Sequence, residues 1–93
     1  MSSGYKLELH EMVIRRDIPR LDNSIRKQVR KVIRNKLLSH PEFYGKRLRG
    51  KLKNCWKLRV DNYRVVYKFN SKKAFVYAID HRSTVYKTAE ERI

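Results

Sequence analysis

Lys57, Arg59, Arg64 and Lys68 are the residues whose types and spacing could do chemistry. They lie in CWKLRVDNYRVVYKF, residues 55–69, which reads as two strands around a two-residue turn at Asp61–Asn62. That turn pairs Val60 with Tyr63, Arg59 with Arg64, Leu58 with Val65, Lys57 with Val66, and Cys55 with Lys68. Side chains alternate across a strand, so one face presents Trp56, Leu58, Val60, Tyr63, Val65 and Tyr67. The other presents Cys55, Lys57, Arg59, Arg64, Val66 and Lys68. Like charges set directly opposite destabilise a sheet. Basic strand faces often serve to block edge aggregation, but arginine facing arginine is a poor device for that. On rigid strands it is a good device for holding a phosphate.

The chain carries 24 Lys plus Arg against 9 Asp plus Glu, a net charge of +15. That excess points to a polyanionic partner: nucleic acid, an anionic membrane or an acidic protein. Cys55 is the only cysteine, so no internal disulfide forms, and His10, His40 and His81 are scattered without metal spacing. No cofactor is expected. Cations beside tyrosines, without a glycine-rich nucleotide loop, suit RNA cleavage by the substrate's own 2′-hydroxyl. That reaction needs the hydroxyl deprotonated, the phosphorane's charge stabilised and the leaving 5′-oxygen protonated. Cations do the second task directly, and a lysine crowded by like charge gives up its proton more easily. DNA lacks the attacking group.

These residues need a scaffold. At 93 residues, 41% hydrophobic and 35% charged, the chain is expected to form one domain over 1–93. No apolar run is long enough to span a bilayer and none resembles a secretion signal, so a cytoplasmic location is expected. YKLELH, residues 5–10, alternates as a strand. EMVIRRDIPRL has helical spacing, and Pro19 is expected to end or kink that helix. Residues 22–40 carry Ile25, Val29, Val32, Ile33 and Leu37 as one apolar stripe, with Asp22, Asn23 or Ser24 as cap. Its other faces hold Arg26, Lys27, Arg30, Lys31 and Arg34, either a solvated surface or a docking face for a phosphate backbone. EFYGKRLRGKLKN is a basic loop with Lys46, Arg47, Arg49, Lys51 and Lys53. From Lys46 to Lys73 there are eleven Lys plus Arg against one acid, Asp61.

Three antiparallel strands follow at about 54–60, 63–69 and 74–81, then a short helix from about Thr88. The order β-α-α-β-β-β, with that last helix, predicts an α+β fold: a meander sheet with two helices on one face. The third meander strand is expected to bring His81 and Arg82 near the middle of the hairpin.

The stretch KRLRGKLKNCWKLRVDNYRVVYKF…AFVYAIDHRSTVY resembles the RelE/ParE toxin superfamily, and its RelE branch in particular. The matching features are L-R-G, an aromatic followed by K-x-[KR]-x, Y-R-V-V-Y and H-R-x-x-V-Y, spread from Lys46 to Tyr86. The resemblance implies the toxin of a type II toxin–antitoxin pair: a ribosome-dependent, metal-independent endoribonuclease that cuts mRNA in the A site and leaves a 2′,3′-cyclic phosphate. It implies that Lys57 and Arg59 polarise the 2′-hydroxyl and bind phosphate, and that Arg64 stabilises the phosphorane. Arg82 would serve the leaving oxygen and Tyr86 would stack on or orient a base. Arg59 stands where the best-known member of the family has a second lysine, and arginine stays protonated. Lys57 is therefore the base candidate, with His81 as a substitute acid or base. Other family members use a glutamate; Glu42 in the basic loop is no clear counterpart. The resemblance also implies an acidic antitoxin partner, the ribosome and mRNA as partners, and a mobile C-terminal VYKTAEERI. A ParE-like gyrase inhibitor and an inactive nucleic-acid-binding relative are the alternatives.

Overall fold

Residues 5–93 are described by a computed structural model. The hairpin forms in the expected register, Arg59 opposite Arg64 and Lys57 opposite Val66. Its strands are β3 (Trp56–Val60) and β4 (Tyr63–Phe69), joined by a turn in which Asp61 takes φ +56°. The ladder stops at Trp56–Tyr67, so Cys55 does not pair with Lys68. Instead the Cys55 N–H donates to Leu52 O and its carbonyl accepts from Leu48.

The sheet has five strands in the order β1-β5-β4-β3-β2. The first, β1 (Lys6–Leu9), lies parallel to β5 (Lys73–His81), so the sheet is mixed rather than a pure meander. The basic loop contributes a two-residue strand, β2 (Lys46–Arg47), antiparallel to β3. Asn70 closes the β4–β5 turn by accepting the N–H groups of Lys72 and Lys73 on its side-chain oxygen. Between Val66 and Tyr67 the β4–β5 register shifts by one residue. Tyr77 is the extra residue, so Val76 and Ile79, three apart, both enter the helix-side core.

Two helical segments cover that side. A wide turn, Val13–Asp17, with Ile18 N–H bonded back to Val13 O, leads into α1 (Ile18–Arg20). The helix does not stop before Pro19. Pro19 lies in the last turn of this continuous helical run, directly after the wide turn, and the chain turns extended only at Leu21. The next helix, α2 (Asn23–Val32), is capped by Asp22, whose Oδ1 accepts the Ile25 N–H at 2.8 Å. It continues as a second wide turn, Ile33–Leu37. Ile25, Val29, Ile33 and Leu37 are buried at steps of four. Each step overshoots an α-turn by about 40°. The wide turn rotates less per residue and returns Leu37 to the stripe.

Past Leu9, β5 has no strand on its outer edge. Asp17 takes that place. Its Oδ2 accepts the Ile79 N–H at 2.9 Å, and both carboxylate oxygens accept from Arg92, at 2.7 and 3.0 Å. Arg92 Nη1 also donates to Tyr77 O at 2.9 Å. Arg92 ends α4 (Val85–Arg92), which begins three residues before the expected Thr88 and packs on the other face of the sheet. Val85, Thr88 and Ala89 are buried there, over Leu52, Cys55, Val66 and Ala78. The C-terminal segment is thus docked and ion-paired. Two cores sandwich the sheet, the larger under α1 and α2 and the smaller under α4. Among the described residues no helix is long and apolar enough to cross a membrane.

Candidate active site

α4 covers only part of the outer face. Where it stops, Lys46, Lys57, Arg59 and Arg64 surround a pocket of about 240 Å³ with Tyr44 at its rim. Lys46 reaches the face because β2 pairs it with Lys57. Lys57, Arg59 and Arg64 are there by strand alternation, as the hairpin pattern required. The Arg64 guanidinium is fixed by two backbone acceptors at the turn, Asp61 O at 3.0 Å and Tyr63 O at 2.8 Å. Both bonds use Nη1, which leaves Nη2 for a ligand. Lys57 Nζ stands 5.6 Å from the Tyr86 ring centroid, a cation–π contact that joins α4 to the pocket.

Other expected residues fall elsewhere. β5 pairs His81 with Tyr63, so the strand ends beside the hairpin turn, not at its middle. The His81 ring packs edge-on against Tyr63, on the helix side of the sheet, and its Nδ1 faces Ser83 Oγ at 2.8 Å. It is therefore on the opposite face from Lys57. Arg82 is exposed at the turn end, its backbone N–H bonded to Asn62 O. Arg26 is folded into the α1–α2 corner, where it donates to Ile18 O, Leu21 O and Asn23 Oδ1. Arg47 lies over Trp56, 6.0 Å from the ring. Lys68 lies over Tyr77 at 5.4 Å. Lys27, Arg30, Lys31 and Arg34 are exposed on the helix, and Arg49, Lys51 and Lys53 on the loop.

Two neighbours of the pocket were not legible as such. Asp80 pairs with Arg64 in the β4–β5 ladder, placing one carboxylate on the cationic face; its Oδ1 accepts the His81 N–H at 2.8 Å. Only the bulge-corrected register reveals it. Tyr44 arrives through α3 (Pro41–Tyr44), a single turn inside the stretch read as loop. Proline before aromatic residues was the available signal. This turn is anchored from below: Tyr67, buried, donates its hydroxyl to Pro41 O at 2.7 Å. Burial, and secondarily Glu42, push the Tyr67 phenol well above its ordinary pKa, so it remains a donor. Gly45 makes the approach feasible, since a Cβ there would lie 1.8 Å from the Tyr67 hydroxyl. Burial also raises the Cys55 thiol, against a smaller opposing pull from Lys68, so Cys55 is an inert core residue. Among the described residues no three His, Cys, Asp or Glu side chains converge to hold a metal.

The two edge strands of the mixed sheet are thus joined through the helices, and a cationic pocket lies on its open face. The family model described as "ParE toxin of type II toxin-antitoxin system, parDE" matches residues 12–86. The chain belongs to that family, within the RelE/ParE superfamily of toxins of toxin–antitoxin systems. It is similar to a doubly substituted E. coli toxin RelE in the free state, with 30% identity, 97% of this chain and 98% of that one covered, and a TM-score of 0.74. The same toxin bound to a RelBc antitoxin peptide matches at 29% identity over 96% and 97%, TM-score 0.69. The Mycobacterium tuberculosis RelBE2 toxin–antitoxin complex matches at 26% identity over 85% and 99%, TM-score 0.76. No curated protein matches the sequence.

Proposed function

We propose that this toxin is an endoribonuclease that cuts mRNA in the ribosomal A site. The observation that carries the reading is the pocket of Lys46, Lys57, Arg59 and Arg64, four cations on adjacent strands with one guanidinium fixed by the backbone. A scissile phosphate in it meets charge already in place, the main requirement for stabilising a phosphorane. Lys57 is the group placed to take the proton of the 2′-hydroxyl, whose oxygen bonds to phosphorus. The P–O5′ bond breaks, the 5′-oxygen takes a proton from solvent, and a 2′,3′-cyclic phosphate remains. The nucleophile belongs to the substrate, so the step needs no metal. His81 has no part in it, being on the other face. Tyr86, already against Lys57, stacks on a base.

Both antitoxin-bound relatives support an antitoxin partner here as well. The net charge of +15 favours an acidic one that neutralises the basic surface of the free toxin. Translating ribosomes place the activity in the cytoplasm. Primer extension on mRNA from cells expressing the protein tests the reading. Cuts phased with the reading frame are expected, and lost in Lys57→Ala and Arg64→Ala variants that fold normally.

The ParE description of the matching family favours a second reading, inhibition of DNA gyrase. The exposed Arg30, Lys31 and Arg34 of the helix would then do the work. Accumulated double-strand DNA breaks with intact mRNA would decide for it.

A further inference from the structure

α3 ends in two adjacent aromatic residues that nothing in the fold requires to be exposed. Phe43 is 76% exposed and Tyr44 43%. Their rings meet edge to face at 5.0 Å, and His40 packs against Tyr44 at 6.4 Å. Lys36 Nζ stands 5.5 Å from the Tyr44 ring, and Tyr44 itself lines the cationic pocket. Flanking charge is basic on both sides, from Lys36 and Lys46; Glu42, in the same turn, is the nearby exception. The ledge is also held rigidly, by the Tyr67 hydroxyl on Pro41 O and the close contact at Gly45. A rigid aromatic surface continuous with a cationic pocket has the two parts of a single-strand site: charge for the backbone and a π-face for a base.

We propose that the Phe43–Tyr44 pair offers a ring face, braced edge-on by the other ring, on which an unpaired RNA base stacks next to the phosphate held by Lys46, Lys57, Arg59 and Arg64. The inference rests on the nuclease reading and extends it. Tyr86 approaches Lys57 from α4, whereas the ledge approaches the pocket from β2, so the two engage different nucleotides. The ledge therefore contributes to where the strand is gripped rather than to the proton transfers. Stacking tolerates every base, so it sets register on the strand and favours large purine faces only modestly.

The test uses a short single-stranded RNA with methylated 2′-hydroxyls, which cannot be cut, and the same backbone without bases. Phe43→Ala, Tyr44→Ala and the double variant are compared with Tyr44→Phe by fluorescence anisotropy across a salt series. The double variant is expected to lose about tenfold in affinity for the base-bearing strand. Its affinity for the abasic strand and its salt slope stay at the wild-type value, because no phosphate contact is removed. Tyr44→Phe retains more affinity for the base-bearing strand than Tyr44→Ala, because the ring face is kept. Equal losses on both strands, or no loss on either, overturn the proposal. Wild-type protein that leaves mRNA intact on translating ribosomes would defeat the nuclease reading on its own, since the binding measurement requires no cleavage.

Discussion

The two faces of the sheet are built from alternate residues of the same strands, yet they meet opposite fates. On the helix side, Leu58, Val60, Val65 and Tyr67 are buried under α1 and α2. On the outer side, Cys55 and Val66 are buried under α4, while Lys57, Arg59 and Arg64 border an open pocket a few residues away. The helix side repeats the usual solution of an apolar sheet face. The outer side divides into a dry half that holds α4 and a charged half kept open. The charged half lies between α4, which the dry half anchors with Tyr86 at its margin, and α3, which Tyr67 of the helix-side core anchors with Tyr44 at its margin. The cost of the Arg59–Arg64 pairing is concentrated at the one place where an anion would repay it.

The largest effect should come from breaking the clamp that holds the dry half closed. Asp17→Ala leaves Arg92 buried without its carboxylate and is expected to cost about 3–5 kcal/mol of stability. Urea denaturation measures it, and a loss below 1 kcal/mol would mean that α4 is held without the ion pair. Arg64→Ala acts on the charged half alone. Cleavage should fall about 10²- to 10³-fold with the melting temperature nearly unchanged. Equal losses of activity and stability would erase the distinction between the halves.

Gly45→Ala probes the link between the helix-side core and the ledge. Its methyl group must displace the Tyr67 hydroxyl, at an expected cost of about 1–3 kcal/mol. The restoring double variant Gly45→Ala/Tyr67→Phe should recover part of that loss. The smallest effect has the opposite sign. Arg59→Thr removes the cross-strand repulsion and should stabilise the free protein by about 0.2–1 kcal/mol while lowering cleavage. A destabilised variant would show that the Arg59–Arg64 pair carries no cost.

The hairpin was legible because a two-residue turn and strict alternation fix both register and face. The apolar stripe of α2 was legible for the same reason, a period with one partner surface. His81 was not. Its face depends on the one-residue bulge at Tyr77, and a bulge leaves no periodic trace in sequence. The same slip hid Asp80 opposite Arg64. Arg26 and Arg47 look like their basic neighbours, yet local backbone acceptors and an aromatic ring occupy them.

By itself the sequence determined the α+β order, the strong basic excess, the hairpin register and the three cations it aligns, because each depends on local turn chemistry or on short periods. Tertiary structure alone decided that β1 lies beside β5, that α4 closes half of the outer face through Asp17 and Arg92, and that Tyr44 reaches the pocket. Those are meetings of residues far apart along the chain. Their free energy comes from burial and paired hydrogen bonds that exist only once the sheet has formed.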